Sequence, residues 1–249
     1  MKKILVFLWL LLLIVTIPLY GGKKKKDELY YYNMGTAMLQ KKQPAKAITY
    51  LSKAAEMNPK NFQIFHALGI AYAMAGDLER GEYYFRKTIS LNPAYGPAHN
   101  LLGVILTEKG KYSEAEAEFK RALEDVAYPT KEVVYYNLAK LYLKMKDVDK
   151  ALASLDLAIA ANKDYANAYA LKGSIYAQKG NLAMAEKLYK TAVDKDKDNP
   201  ALLFALGEIY EKEGKIEEAK GAYSKVLVIP SDPQIKIKAE DKLKKLEKK

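Results

Sequence analysis

Any chemistry in this chain has few residues to draw on. The sequence holds two histidines, His66 and His99, and no cysteine. Disulfides, thiolate metal sites and a thiol nucleophile are therefore absent together, although this does not fix the redox compartment. The histidines stand 33 residues apart with no acidic pair at metal-ligand spacing, so each reads as a helix residue packed against its neighbours. No glycine-rich phosphate loop follows a strand pattern, and no Ser/His/acid set falls where helices would gather it. The acidic runs Glu114–Glu118 and Glu217-Glu218 read as solvated helix faces. A catalytic reading would have only the stretch from His66 to Tyr136 to rest on. No cofactor, metal or small-molecule substrate is expected, and the expected class is a non-catalytic binding protein.

The formal net charge of +11 invites a nucleic-acid reading. Its location argues against one. Residues 1–26 hold six lysines and no acid, and residues 236–249 hold seven lysines against three acids. The intervening chain carries 28 basic and 27 acidic residues. A groove that neutralises phosphates needs its cations on the folded surface. Nucleic acid is not an expected partner, and the lysine-rich ends are expected to be solvated or to lie near anionic surfaces.

The elements that must position any binding residues follow from a period of 34 residues. It runs through 28–61, 62–95 and 96–129, pauses at Thr130 and Lys131, and resumes through 132–165, 166–199 and 200–233. The eighth position of each block is small: Gly35, Gly69, Gly103, Ala139, Gly173 and Gly207. The twentieth is Ala or Gly, which lets two helices approach closely. The twenty-fourth is large, as Leu51, Phe85, Phe119, Leu155, Tyr189 and Tyr223. Gly76, Gly110, Gly180 and Gly214 fall where a left-handed residue ends a helix. Asn-Pro pairs at 58, 92 and 199 mark gaps between blocks, because proline starts a helix more readily than it continues one. Each block reads as helix, turn, helix. One such hairpin cannot bury its outer faces, so the copies must stack. The tail 234–249 places Ile237, Leu243 and Leu246 among lysines and reads as a capping helix.

This pattern resembles the tetratricopeptide repeat from Glu28 to Pro233, with Tyr31, Phe65, His99, Tyr135, Tyr169 and Leu203 in place of the consensus tryptophan. The resemblance implies an all-α fold: six repeats stacked as a right-handed superhelix whose concave face is lined by the first helix of each repeat. In that geometry positions two, five, nine and twelve face the groove. The candidate partner-binding residues are then Leu29, Tyr32 and Thr36 in the first repeat, His66 and Ile70 in the second, and Asn100 and Val104 in the third. Val133, Tyr136, Lys140 and Leu143 follow in the fourth, and Phe204 in the sixth. A lysine, arginine and asparagine clamp for a peptide carboxylate is missing, so an apolar or amphipathic segment of a protein partner is expected rather than an acidic tail. An alternative for Tyr32, Ile70 and Val104 is packing against neighbouring helices.

A narrower resemblance rests on Tyr128-Pro129, Asn137-Leu138 and Met145-Lys146 at the interruption. These features are similar to those of the PilF/PilW family of type IV pilus pilotins. That resemblance implies an outer-membrane lipoprotein that binds secretin subunits and aids their localisation or assembly.

The leader bears on location. Residues 1–22 open with Met1-Lys2-Lys3 and continue apolar from Ile4 to Ile17, the length of a signal-peptide core and short for a membrane span. Residues 23–27 form a lysine-rich linker. Leu19-Tyr20-Gly21 match a lipoprotein signal, with Gly22 where the lipidated cysteine belongs. Either Gly22 stands in place of a lipidated cysteine and the mature protein faces the periplasm from the outer membrane, or the leader stays as an inner-membrane anchor. Lysines on both flanks leave the orientation of a retained anchor open.

Overall fold

The computed structural model describes residues 27–247; the leader, the lysine run 23–26 and Gly22 lie outside the described residues. Thirteen α-helices and no strand occur among the described residues. The first three hairpins are α1 (Glu28–Gln40) with α2 (Pro44–Met57), α3 (Phe62–Met74) with α4 (Leu78–Leu91), and α5 (Gly96–Glu108) with α6 (Tyr112–Glu124). The next three are α7 (Lys131–Lys144) with α8 (Val148–Ala161), α9 (Ala166–Gln178) with α10 (Leu182–Lys195), and α11 (Pro200–Lys212) with α12 (Ile216–Val228). A last helix, α13 (Pro233–Leu246), lies against α12 and α11.

Local chemistry sets the helix ends. Asp27, Asn61, Asp77, Asp147, Asn181, Asn199 and Asp232 each accept a hydrogen bond from a backbone N–H in the first turn that follows, as N-caps do. Between the two helices of every hairpin one residue turns left-handed. It is glycine in four hairpins, but Lys42 (φ 54°) and Lys146 (φ 63°) in the first and fourth. A side chain there costs roughly 1–2 kcal/mol. Lys146→Gly, offset by the greater freedom glycine has when unfolded, is expected to raise stability by up to about 1 kcal/mol. A higher urea midpoint would show it.

Each hairpin closes around a small residue facing a large one. A Cβ on Gly69, Gly103 or Gly207 would lie 2.6, 2.7 or 2.6 Å from the rings of Phe85, Phe119 or Tyr223 respectively. The fourth hairpin solves the same problem with Ala139 and Leu155, both fully buried. Between hairpins, α1, α3, α5 and α7 touch one another in succession, while successive even-numbered helices hardly meet. Helices α1, α3, α5 and α7 thus form the inner wall of a curved stack, α9 joins it where Leu171 faces α5 and α7, and the second helices of these hairpins splay outside.

The six-residue link 125–130, longer than the four residues of 92–95, is pinned rather than loose. Asp125 Oδ2 accepts from the Gly96 N–H at 2.9 Å, and the Tyr128 hydroxyl accepts from Asn100 Nδ2 at 3.2 Å. Asn137 on α7 donates to Asn100 Oδ1 at 2.9 Å, carrying the link into the next hairpin.

A buried ionic pair inside the third hairpin also reaches the link before it. His99, 2% exposed, places Nδ1 2.6 Å from Glu118 Oε2 and Nε2 2.8 Å from the Pro93 carbonyl oxygen. Both partners are acceptors, so both ring nitrogens must carry protons and His99 is an imidazolium. Burial pulls its pKa down, but the bonds to Glu118 and Pro93 outweigh this and hold it above the ordinary 6.5, against the opposing charge of Arg121. A raised folded pKa gives stability that is complete below about pH 6.5 and is lost as pH climbs through the folded value. The melting temperature is therefore expected to fall as pH rises from about 6.5 upward through the folded value. Glu118→Gln should flatten that slope; an equal slope in this variant would assign it to other groups.

The terminal helix covers what would otherwise be an open end. Ala239 and Leu246 are buried, and Lys242 pairs with Glu211 of α11 at 2.8 Å. Deleting 234–249 exposes Tyr223 and Val226, both fully buried in the intact chain. The truncated chain should melt several degrees lower; an unchanged melting temperature would show that α13 contributes nothing to the last hairpin.

Candidate protein-binding groove

The inner wall carries two strips of different chemistry. The first is aromatic and lies at the start of the inner helices. His66 meets Tyr95 edge-on with centroids 5.1 Å apart, and Tyr136 meets Tyr165 in the same way at 5.7 Å. Tyr32, half-buried, lies near enough to raise the Tyr95 pKa, which burial has already lifted. His66 Nε2 is buried without a hydrogen-bond partner, and burial lowers its pKa to about 4. His66 is thus a neutral aromatic surface near pH 7. Among the described residues no group of three metal-ligating side chains exists.

The second strip is apolar and hollow. Between α5, α7 and α9 lies an open cavity of about 320 Å³, walled by Val104, Phe119, Leu143 and Leu171 and edged by Lys140 and Asn137. Between α3 and α5 lies a smaller one of about 240 Å³, walled by Ile70, Ala73, Met74, Leu101 and Val104. Val104 borders both. The smaller cavity and the α5/α7 part of the larger one are equivalent by repeat position, each framed by residues nine, twelve and thirteen of one inner helix and six and nine of the next and floored by the buried aromatic at position twenty-four; the larger continues past Leu143 to Leu171 on α9. Lys144 reaches Glu108 across the rim of the larger one at 3.4 Å. Lys140, exposed, makes no hydrogen bond or ion pair among the described residues.

The expected groove residues divide accordingly. Ile70, Val104, Lys140 and Leu143 come together at the cavities, while Tyr32, His66 and Tyr136 fall in the aromatic strip. Val133 is half-buried on α7, and Thr36 turns its hydroxyl to the Asn33 carbonyl oxygen at 3.0 Å. Leu29 is 59% exposed at the open start of the stack, and Phe204 leans on Tyr223 with centroids 5.3 Å apart. Asn100 differs from expectation: it is 4% exposed and its amide is taken by Tyr128 and Asn137, so it braces the link instead of facing a ligand. Positions six and thirteen, which supply Leu101, Asn137, Leu171, Met74 and Lys144, were missed. They neighbour positions five and twelve on the helix, but position thirteen is polar in five of the six repeats, so no apolar stripe marks it.

A stack of helical hairpins with a hollow apolar inner wall defines a helical-repeat binding solenoid. Tetratricopeptide-repeat family models match residues 28–61, 50–83, 106–175, 173–214 and 200–230. The chain is a tetratricopeptide-repeat protein. Over 189 residues it is 24% identical to tetratricopeptide repeat protein 37 of Xenopus laevis, covering 76% of this chain and 12% of that one. Over 134 residues it is 25% identical to the type IV pilus assembly protein PilF of Pseudomonas aeruginosa, covering 54% of this chain and 53% of that one. The chain thus spans about half, or far less, of the length of these curated relatives. The solved structure of PilW, a type IV pilus biogenesis factor, superposes with a TM-score of 0.72 at 18% identity, over 84% of this chain and 97% of that one. At that identity the superposition establishes the fold alone.

Proposed function

We propose that this protein is a non-catalytic assembly factor of the pilotin type. It holds an apolar or amphipathic segment of a secretin subunit in its inner groove and works at the membrane through its N-terminal leader. The observation that carries this reading is the pair of open apolar cavities in succession along the inner wall. Apolar surface left open on a folded protein favours a partner that covers it. Similarity to PilF and PilW supports the pilus assignment, and an aggregation-prone secretin segment is a ligand such cavities suit.

Gly22 favours a second reading, in which the leader is retained and the protein is an inner-membrane scaffold for another protein partner. Gene deletion in the native host, with secretin multimers measured in the outer-membrane fraction, separates the two. The pilotin reading expects multimers to be lost and restored by the wild-type gene; unaltered multimers would overturn it. Intact mass of the membrane-extracted chain then gives the anchor. A mature chain that begins with a lipidated cysteine at position 22 favours the outer membrane, and one that keeps Met1 and Gly22 favours the inner one.

A further inference from the structure

We infer that the two cavities take one amphipathic α-helix, seated across α3, α5 and α7, with a carboxylate on that helix paired to Lys140. This rests on the proposed binding role of the groove and names the shape and charge of its occupant.

Spacing comes first. The smaller cavity lies between α3 and α5, the larger begins at the equivalent place between α5 and α7 and runs on to Leu171 of α9, and α3, α5 and α7 touch in order. Packed helices stand about 8–10 Å apart, so the α3/α5 cavity and the α5/α7 part of the larger one are offset by about that distance. Residues seven apart on an α-helix are about 10.5 Å apart and share a face. In a β-strand the residues about 10 Å apart are three positions apart and point to opposite faces. A polyproline helix does present every third residue on one face at about 9.3 Å, so spacing alone leaves two candidates.

Volume separates those two. An apolar protein cavity of about 150 Å³ holds one benzene. At about 320 Å³ and 240 Å³ each cavity exceeds the space one such group fills. An α-helix offers side chains four apart as a pair, two to a cavity, whereas a polyproline helix offers one per turn to each.

Charge then sets the register. Position nine of the inner helices reads Thr36, Ile70, Val104, Lys140, Ser174 and Glu208 along the stack. The wall that is Ile70 and Val104 at the smaller cavity becomes Val104 and Lys140 at the larger one. Neighbouring Lys144 is engaged with Glu108, and Glu208, the other charged residue at position nine, lies 3.8 Å from Lys242 of the terminal helix. Lys140 is left beside an apolar hollow as a cation with no partner among the described residues. It fits a helix bearing Asp or Glu about one turn beyond the side chain that fills the larger cavity.

Three labelled synthetic peptides, titrated into the full-length protein by fluorescence anisotropy, test this. The first is helical, with Leu at i and i+4 for the smaller cavity, Leu at i+7 and i+11 for the larger, and Glu at i+15. The second replaces that Glu with Lys, and the third carries two prolines that break the helix. The first should bind at least tenfold more tightly than the third. The second should bind about two- to fivefold more weakly to the wild type, as a rim ion pair allows, and recover on Lys140→Glu. Equal binding of the proline peptide would overturn the helix, and indifference to the charge swap would overturn the Lys140 contact. If no peptide binds while a cross-linker at Leu143 still captures a native partner, this inference fails and the groove's binding role stands. If neither occurs, both fail.

Discussion

Phe119→Ala is expected to lower stability by about 3–5 kcal/mol, as removal of a fully buried ring does. Phe119 is 1% exposed, sits against Gly103 and floors the larger cavity, so the loss opens the centre of the stack to the groove. The chain itself supplies a more discriminating version. Glycine at position eight meets an aromatic ring in four hairpins, and Ala139 meets Leu155 in the fourth. Gly103→Ala alone would force a Cβ to within 2.7 Å of the Phe119 ring and should cost about 1–3 kcal/mol. Phe119→Leu alone leaves a hollow. The double variant copies the fourth hairpin, and its cost should be smaller than the two single costs together by about 1 kcal/mol or more, a coupling within the usual range for touching residues. Urea unfolding of the four proteins measures this, and strict additivity would contradict the proposed ring-against-backbone contact.

The second large effect is on binding. Leu143→Glu with Ile70→Glu places a carboxylate at each cavity, in side chains that are half-buried on the inner wall. Filling an apolar hollow with one partner side chain contributes about 1.5–3 kcal/mol, so a lost anchor corresponds to roughly tenfold to hundredfold weaker binding. Far-ultraviolet circular dichroism should show the helical content retained. A folded variant that captures its partner as well as the wild type would place the binding surface elsewhere. Tyr83 on the outer helix α4, 59% exposed, provides the control: Tyr83→Glu should leave capture unchanged.

Much of this architecture was legible before any coordinates. The 34-residue period, the small residues at position eight and the large ones at twenty-four required helical hairpins that pack closely. What the period could not supply was the rotation of each inner helix about its own axis. The expected positions nine and twelve do line the cavities, where six and thirteen join them, while position five does not. Position five, as Tyr32, His66 and Tyr136, lies in the aromatic strip instead. Four turn glycines were readable, yet Lys42 and Lys146 take the same left-handed conformation, because the hairpin around them dictates it. Asn100 read as a groove residue because nothing in the chain order shows that Tyr128 folds back onto it from 28 residues away. The same holds for His99: its pairing with Glu118, 19 residues on, depends on two helix rotations at once.

Site-specific photo-cross-linking in the native host's membranes tests the central claim most directly. A photoreactive side chain would replace Leu143 at the larger cavity or Tyr83 on the outer face, with adducts identified by mass spectrometry. The groove account predicts a discrete protein adduct at position 143, reduced by Ile70→Glu, and none at position 83. Adducts at 83 alone, or equal labelling at both positions, would contradict it.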